Sequence, residues 1–284
     1  MIRHGILRYA AIALGTLCYS QVSADTELSV SPDQDRRNII EFFRNRFPDQ
    51  PLQNYVNGAL MLSADAMSQY DSIMEFPPFQ GDIDRGRTIW EKPFRNGRRF
   101  AECFPNGARG IAADYPKYDP LLDRVVTFEA QINRCLRENG ETEFAYDDVS
   151  TMGVLTAYAR TLSDGAKMNI RVDHPGAREK YAAGRAFFYR RIGQLNQACA
   201  TCHLTHAGRY FRDELLSPAL GQATHFPVFR GGEFLFTLQM RYQRCMEAMR
   251  AQPFAAGSEE LDNFEYFHSY MSNGLPLKAS VYRK

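Results

Sequence analysis

The chain has 284 residues, 44% hydrophobic and 24% charged, with a mean hydropathy of −0.42. That is enough to bury a sizeable core in one or two domains, and too polar for an integral membrane protein. Its 34 Lys and Arg against 33 Asp and Glu leave a net charge of +1, too balanced for a protein that binds by neutralising a nucleic-acid backbone.

The chain opens on Arg3 and Arg8, an apolar run from Tyr9 to Leu17, and the small residues of Val22-Ser23-Ala24. This pattern predicts an export signal over residues 1–24, cleaved after Ala24, and a periplasmic mature protein. The apolar run is well short of the roughly 20 residues a membrane anchor needs. Cys18 follows Leu17, where lipid attachment would need a small residue. Cleavage leaves 284 − 24 = 260 residues, removes Arg3 and Arg8, and gives 32 − 33 = −1. Of the six cysteines, Cys103, Cys135, Cys199, Cys202 and Cys245 remain. An odd number in an oxidising compartment cannot all be paired with one another.

Residues 25–80 read as a polar lead-in with one helical stretch around Asn38–Arg46, followed by a turn-rich Pro77-Pro78 segment. Beyond it the chain reads as several short helices joined by long loops containing Pro and Gly. No alternating run is long enough to suggest a sheet. A turn-forming Asp173-His174-Pro175-Gly176 places a boundary between residues 25–173 and 174–284. No histidine occurs from Gly5 to Asp173.

The second half carries Cys199-Ala200-Thr201-Cys202-His203. Cys-x-x-Cys-His is the c-type haem attachment pattern: two thiols add to the haem vinyl groups and the following imidazole reaches the iron. Thioredoxin-like chemistry would place Cys-x-x-Cys between a strand and a helix, which Gly193-Gln194-Leu195-Asn196 and Gly208 do not suggest. A zinc site would need a second ligand pair, and His174, His206, His225 and His268 are scattered. Downstream, Leu235, Leu238, Tyr242, Cys245 and Met249 follow helical spacing, predicting an amphipathic helix over Phe234–Met249 with Cys245 on its buried stripe. Arg241, one turn earlier, puts a cation beside that sulfur. Cys245 is a candidate sixth iron ligand. A small buried hydrophobe is the competing reading, and Met240, Met246 and Met249 keep a methionine ligand open.

The halves share a framework. Gly86-Arg87-Thr88-Ile89-Trp90 resembles Gly184-Arg185-Ala186-Phe187-Phe188; Tyr115-Pro116-Lys117-Tyr118 resembles Phe226-Pro227-Val228-Phe229; Asn133-Arg134-Cys135 resembles Gln243-Arg244-Cys245. This reads as one domain used twice. In the first copy Cys103-Phe104-Pro105-Asn106-Gly107 stands about where the second has its haem motif, and with no histidine to serve as proximal ligand that copy is read as haem-free. A Cys103–Cys135 bridge is the best account of its thiols, two free thiols being the alternative. Residues 25–173 hold 18 basic and 24 acidic side chains (18 − 24 = −6), residues 174–284 hold 14 and 9 (14 − 9 = +5), so the motif-bearing half would favour an anionic substrate.

The run from Tyr189-Arg190-Arg191-Ile192-Gly193-Gln194-Leu195-Asn196 through Cys199 to Gly208, then Leu216-Ser217-Pro218, Gly221-Gln222-Ala223, Arg241-x-x-x-Cys245 and Arg250-Ala251-Gln252-Pro253-Phe254, resembles the SoxA family, catalytic cytochrome subunits of the periplasmic sulfur-oxidising system. Ala101-Glu102-Cys103-Phe104-Pro105-Asn106-Gly107 is similar to the haem-free first domain of its monohaem members, so the likeness spans the mature chain. Some members carry a second Cys-x-x-Cys-His in that domain and this sequence does not, so one haem c is expected. The resemblance implies a mainly α fold of two cytochrome c domains and a heterodimer with a small SoxX cytochrome. It implies an L-cysteine S-thiosulfotransferase that joins thiosulfate oxidatively to a cysteine of the SoxYZ carrier, two electrons passing to cytochrome c. By position, Cys199 and Cys202 would bind haem, His203 and Cys245 would ligate iron, and Cys245, often a persulfide in this family, would be the catalytic sulfur with Arg241 beside it. Arg244, about 100° round an ideal helix from Cys245, is a weaker candidate. Arg209, Arg212 and Arg230 read as surface charge. An electron-carrier cytochrome without transferase activity is the alternative from another class, and a tetrathionate-forming thiosulfate dehydrogenase, usually with two haem motifs, is a third.

Overall fold

The computed structural model describes residues 31–232 and 234–283; the expected export signal and Ala24 lie outside the described residues. The fold is mainly helical, with strands of two or three residues forming small hairpins. No helix among the described residues is long and apolar enough to cross a membrane.

Helix α1 (Pro32–Arg46) begins where Ser31 accepts a hydrogen bond from the Gln34 N–H and Pro32 fills the first turn. It therefore starts several residues before the predicted stretch. Its first-turn acids also serve tertiary structure: Tyr270 donates to Asp33 at 2.6 Å and Arg185 to Asp35 at 2.9 Å. Two further pieces follow, 3₁₀ turns over Leu52–Leu62 and helix α2 (Ala64–Glu75). Phe43, Tyr55, Val56, Met61 and Tyr70 are buried, so the stretch read as a polar lead-in is an integral layer. It packs against the C-terminal half, where Arg46 donates to the Ala207 carbonyl at 2.9 Å.

Two helix pairs organise the remainder. Helix α3 (Gln80–Glu91) crosses α5 (Val154–Thr161) at Gly86, where a Cβ would overlap the Val154 carbonyl oxygen. Helix α6 (Pro175–Tyr189) crosses α8 (Glu259–Met271) at Gly184, where a Cβ would overlap the Asn263 carbonyl oxygen. Each of these glycines allows a backbone-to-backbone contact that any side chain would block.

Between its helices each half has a cis X-Pro bond (Tyr115–Pro116, Phe226–Pro227), then a hairpin. Strands β1 (Lys117–Asp119) and β2 (Arg124–Val126) pair antiparallel in register Lys117 with Val126. A smaller hairpin, β3 (Tyr210–Phe211) and β4 (Glu214–Leu215), precedes the second pair. There β5 (Val228–Arg230) pairs with β6 (Phe234–Phe236), Val228 opposite Phe236, and β7 (Val281–Arg283) adds a parallel third strand. Helices α4 (Phe128–Glu138) and α7 (Leu238–Ala248) follow, each capped by a threonine, Thr127 donated to by Ala130 N–H and Thr237 by Met240 N–H.

The predicted helix over Phe234–Met249 is thus shorter at its start: Phe234–Phe236 is strand, and Thr237 caps the helix. Cys103 and Cys135 are bonded, with Cα atoms 5.7 Å apart, tying the segment before β1 to α4. The principal core is continuous across the chain, from Trp90, Phe128, Ile132 and Leu155 to Phe188, Phe264 and Phe267. A buried charged seam, Glu129, Arg160, Asp262 and Glu265, lies where α4, α5 and α8 meet. Gln239 donates to Asp262 at 2.9 Å and to Glu265 at 3.0 Å.

Candidate functional site

The Cys-x-x-Cys-His segment lies between α6 and β3. Residues Thr201–Thr205 form one wide helical turn, closed by the His206 N–H donating to the Thr201 carbonyl at 3.0 Å. Cys199 and Cys202 therefore lie on one short arc, both half-buried with free thiols. The following loop seats His203. Its carbonyl accepts from the Ala219 N–H at 2.8 Å, and its Nδ1 lies 2.9 Å from the Ser217 carbonyl oxygen. Gln222 reaches the same nitrogen at 2.9 Å. The Ser217 carbonyl can only accept, so that contact belongs to the tautomer with its proton on Nδ1, whose lone pair is on Nε2, the nitrogen a metal-ligating histidine would use. The Ser217 and Gln222 motif positions thereby gain a physical role. Gly221, at φ 83, makes the turn against the Tyr55 backbone that aims Gln222 back at His203.

Helix α7 brings Cys245 to this group. Its buried face is Leu238, Gln239, Tyr242 and Met246, with Met240 beside them. Cys245 is half-buried at the edge of that stripe rather than within it, the reason being that the helix opens this flank to the haem motif instead of the core. Cys245 lies close enough to His203 and Arg241 for both to favour its ionised form, and its charge would in turn disfavour ionisation of Cys199 and Cys202. Burial pushes the Cys245 thiol up, but Arg241 and then His203 pull it further down, so it lies below the usual thiol range. Burial raises Cys202, and it raises Cys199 to about 12.

The other candidate ligands are occupied elsewhere. Met240 and Met246 are core residues, the Met240 sulfur accepting from the Thr237 N–H at 3.4 Å. His268 is buried, with Tyr242 Oη 2.7 Å from Nδ1 and the Ala219 carbonyl oxygen 3.2 Å from Nε2; desolvation lowers its pKa to about 3. His225 is buried and held neutral, first by desolvation and then by Arg283, and His174 caps α6. Arg244 projects to the surface, paired with Glu247 at 3.0 Å.

Glu214 was not singled out by sequence and stands beside Arg241, close enough to act on Cys245. One carboxylate oxygen accepts from Arg241 at 3.2 Å and the other pairs with Arg230. Arg230 is therefore part of this charged group rather than isolated surface charge. The only sequence signal for Glu214 is an acidic residue in a short stretch containing Arg209 and Arg212.

Two thiols on one arc with an imidazole and a third thiol beside them fit a covalently held haem c, whose iron His203 and Cys245 would hold. The comparisons support a covalently bound haem c. A family model described as the SoxA/TsdA cytochrome c domain matches residues 85–168, the stretch from α3 through α5 that precedes the Cys-x-x-Cys-His segment. The chain is 38% identical to the L-cysteine S-thiosulfotransferase subunit SoxA of Chlorobaculum tepidum, over 100% of this chain and 99% of that one. It is 37% identical to the same subunit of Allochromatium vinosum over the full length of both. Among solved structures, a chain of SoxXA from P. pantotrophus superposes with a TM-score of 0.67 at 28% identity, covering 73% of this chain and 79% of that chain. With relatives this similar from end to end, the chain belongs to the SoxA family of cytochrome c proteins.

Proposed function

We propose that this chain is the haem-bearing subunit of a periplasmic L-cysteine S-thiosulfotransferase, acting on thiosulfate and a cysteine of a SoxYZ-like carrier in complex with a small SoxX-like cytochrome. The observation that carries the reading is the convergence of Arg241, Cys245 and His203 with the Cys199–Cys202 pair. The name of the relatives and the solved SoxXA complex support the substrate and the partner.

Residues 174–284 are read as the haem domain, residues 25–173 as a cytochrome c-like domain without haem, and residues 1–24 as the export signal. The repeated order of glycine crossing, cis proline, hairpin and threonine-capped helix supports one domain used twice. On that reading the Cys103–Cys135 bridge would join, in the first copy, the positions that the haem motif and Cys245 hold in the second.

Cys199 and Cys202 would hold the haem covalently, and His203 and Cys245 would hold its iron. The bound haem supplies an electron acceptor. The protein does the rest. Arg241 presents a fixed cation to the sulfonate end of thiosulfate and keeps Cys245 ionised. In the net reaction a sulfur–sulfur bond forms between thiosulfate and the carrier cysteine, whose S–H bond breaks; one proton and two electrons leave. The basic character of this half draws in the dianion.

Changing Cys245 to Ser in the full complex tests the reading. Thiosulfate-dependent conjugation is expected to fall at least about a thousandfold, the usual scale for loss of a covalent nucleophile, with haem still attached. Retention of wild-type conjugation would remove Cys245 from the mechanism.

A further inference from the structure

Beside Cys245 lies a fork of two guanidiniums, Arg230 from β5 and Arg241 from α7, and the fork is filled. Glu214 places one carboxylate oxygen on each arginine. This is the arrangement a small dianion would adopt between the same two cations: two negative oxygens, one per guanidinium. The carboxylate is 45% exposed and the arginines are 21% and 25% exposed, so this is a partly solvated clamp that solvent and solute anions can contest.

The element carrying Glu214 is suited to move. The β3–β4 hairpin has two residue pairs, Tyr210 with Leu215 and Phe211 with Glu214, and its turn includes Arg212 at φ 57. Tyr210 is 72% exposed, so one strand contributes little packing. Paired hairpins this short open at low cost relative to the helices beneath. Gly208 anchors the base, its N–H donating to the Leu216 carbonyl at 2.8 Å. The cations differ in this respect: Arg241 stands on a capped helix and Arg230 in the middle of a three-stranded sheet.

We propose that Glu214 is a resident counter-anion whose carboxylate holds the Arg230–Arg241 fork closed until an incoming dianion displaces it, making the β3–β4 hairpin a selectivity gate on the Cys245 site. The gate keeps the fork paired between turnovers. It makes singly charged or weakly binding anions compete poorly, and it sets thiosulfate affinity below what two free arginines would give. Arg230 becomes a positioning residue for the anion, and Glu214 a residue that tunes affinity through the two arginines. The inference rests on the thiosulfate reading of the site.

Calorimetric titration of the oxidised, haem-loaded complex with thiosulfate, and with sulfate as a redox-inert dianion, tests it. Glu214→Gln removes the competing charge while keeping size and surface position. It is expected to tighten both dianions about three- to thirtyfold, the span set by freeing two partly exposed ion pairs. Arg230→Gln is expected to weaken both. If Glu214 served only to hold Arg241 in place, Glu214→Gln would leave affinity unchanged or weaken it, and either outcome overturns the gate. A wild-type complex that binds neither dianion overturns the anion-site reading itself, and the gate with it; this is distinguishable from a wild type that binds and a variant that does not gain.

Discussion

Opening the Cys103–Cys135 bridge tests how far the stability of the first half depends on this cross-link. The bridge spans a separation of 32 residues. Releasing a loop of that length returns conformational freedom to the unfolded chain worth about 3.7 kcal/mol at 25 °C. Cys135 is fully buried, so replacing both cysteines with Ala also leaves a small void that adds about 1 kcal/mol. The sum, about 4–5 kcal/mol, corresponds in a chain of this size to a fall in melting temperature of about 9–18 °C. Circular dichroism melts of the double variant and of wild type under mild reductant measure it. The reduced wild type isolates the cross-link and should lose somewhat less than the variant. The haem spectrum and thiosulfate activity at low temperature should be unchanged, because neither cysteine touches the Cys199–Cys245 group. A shift below about 3 °C would refute the cross-link argument. Loss of haem attachment would refute the independence of the two sites.

Two further outcomes follow from packing and burial. Gly184→Ala should destabilise by about 1–3 kcal/mol, because its Cβ meets the Asn263 carbonyl, whereas Gly81→Ala, with no atom within 4 Å, should be neutral or stabilising by up to about 1 kcal/mol; chemical denaturation of the pair checks the contrast. Burial holds the Glu265 carboxyl well above the ordinary carboxylate range, with Glu129 reinforcing it. The folded state then keeps a proton that the unfolded chain releases, so stability is full below the ordinary range and declines as pH rises towards the raised folded value. Glu265→Gln, which cannot ionise, should flatten the dependence of denaturation midpoint on pH above the ordinary carboxylate range. An equally steep dependence in the variant would place the titration elsewhere.

What was legible in the sequence is what the chemistry keeps local. Cys-x-x-Cys-His is one turn of chain, and Arg241 with Cys245 is one turn of helix, so spacing alone proposes them. The Gly86 and Gly184 crossings show because backbone contact tolerates no other residue. Periodicity failed where elements are short or change type. The three-residue strand Phe234–Phe236 continues into α7 with an apolar spacing that mimics a longer helix, and only the Thr237 cap marks the change. The 3₁₀ turns of Leu52–Leu62 repeat near three residues, so buried Tyr55, Val56 and Met61 show no 3.6-residue rhythm, and the segment reads as polar connection. Glu214 was illegible because its partners lie 16 and 27 residues away on different elements. The seam of Glu129, Arg160, Asp262 and Glu265 was hidden for the same reason, and because charged residues are read as surface unless something brings them together.

The five cysteines Cys103, Cys135, Cys199, Cys202 and Cys245 have three proposed fates, so a peptide mass map of the haem-loaded protein tests them most directly. The expected map has one haem on the peptide holding Cys199 and Cys202, a disulfide joining the peptides of Cys103 and Cys135, and Cys245 free of both. A haem-free Cys199–Cys202 peptide, or Cys245 in a disulfide with another cysteine of the chain, would contradict these assignments.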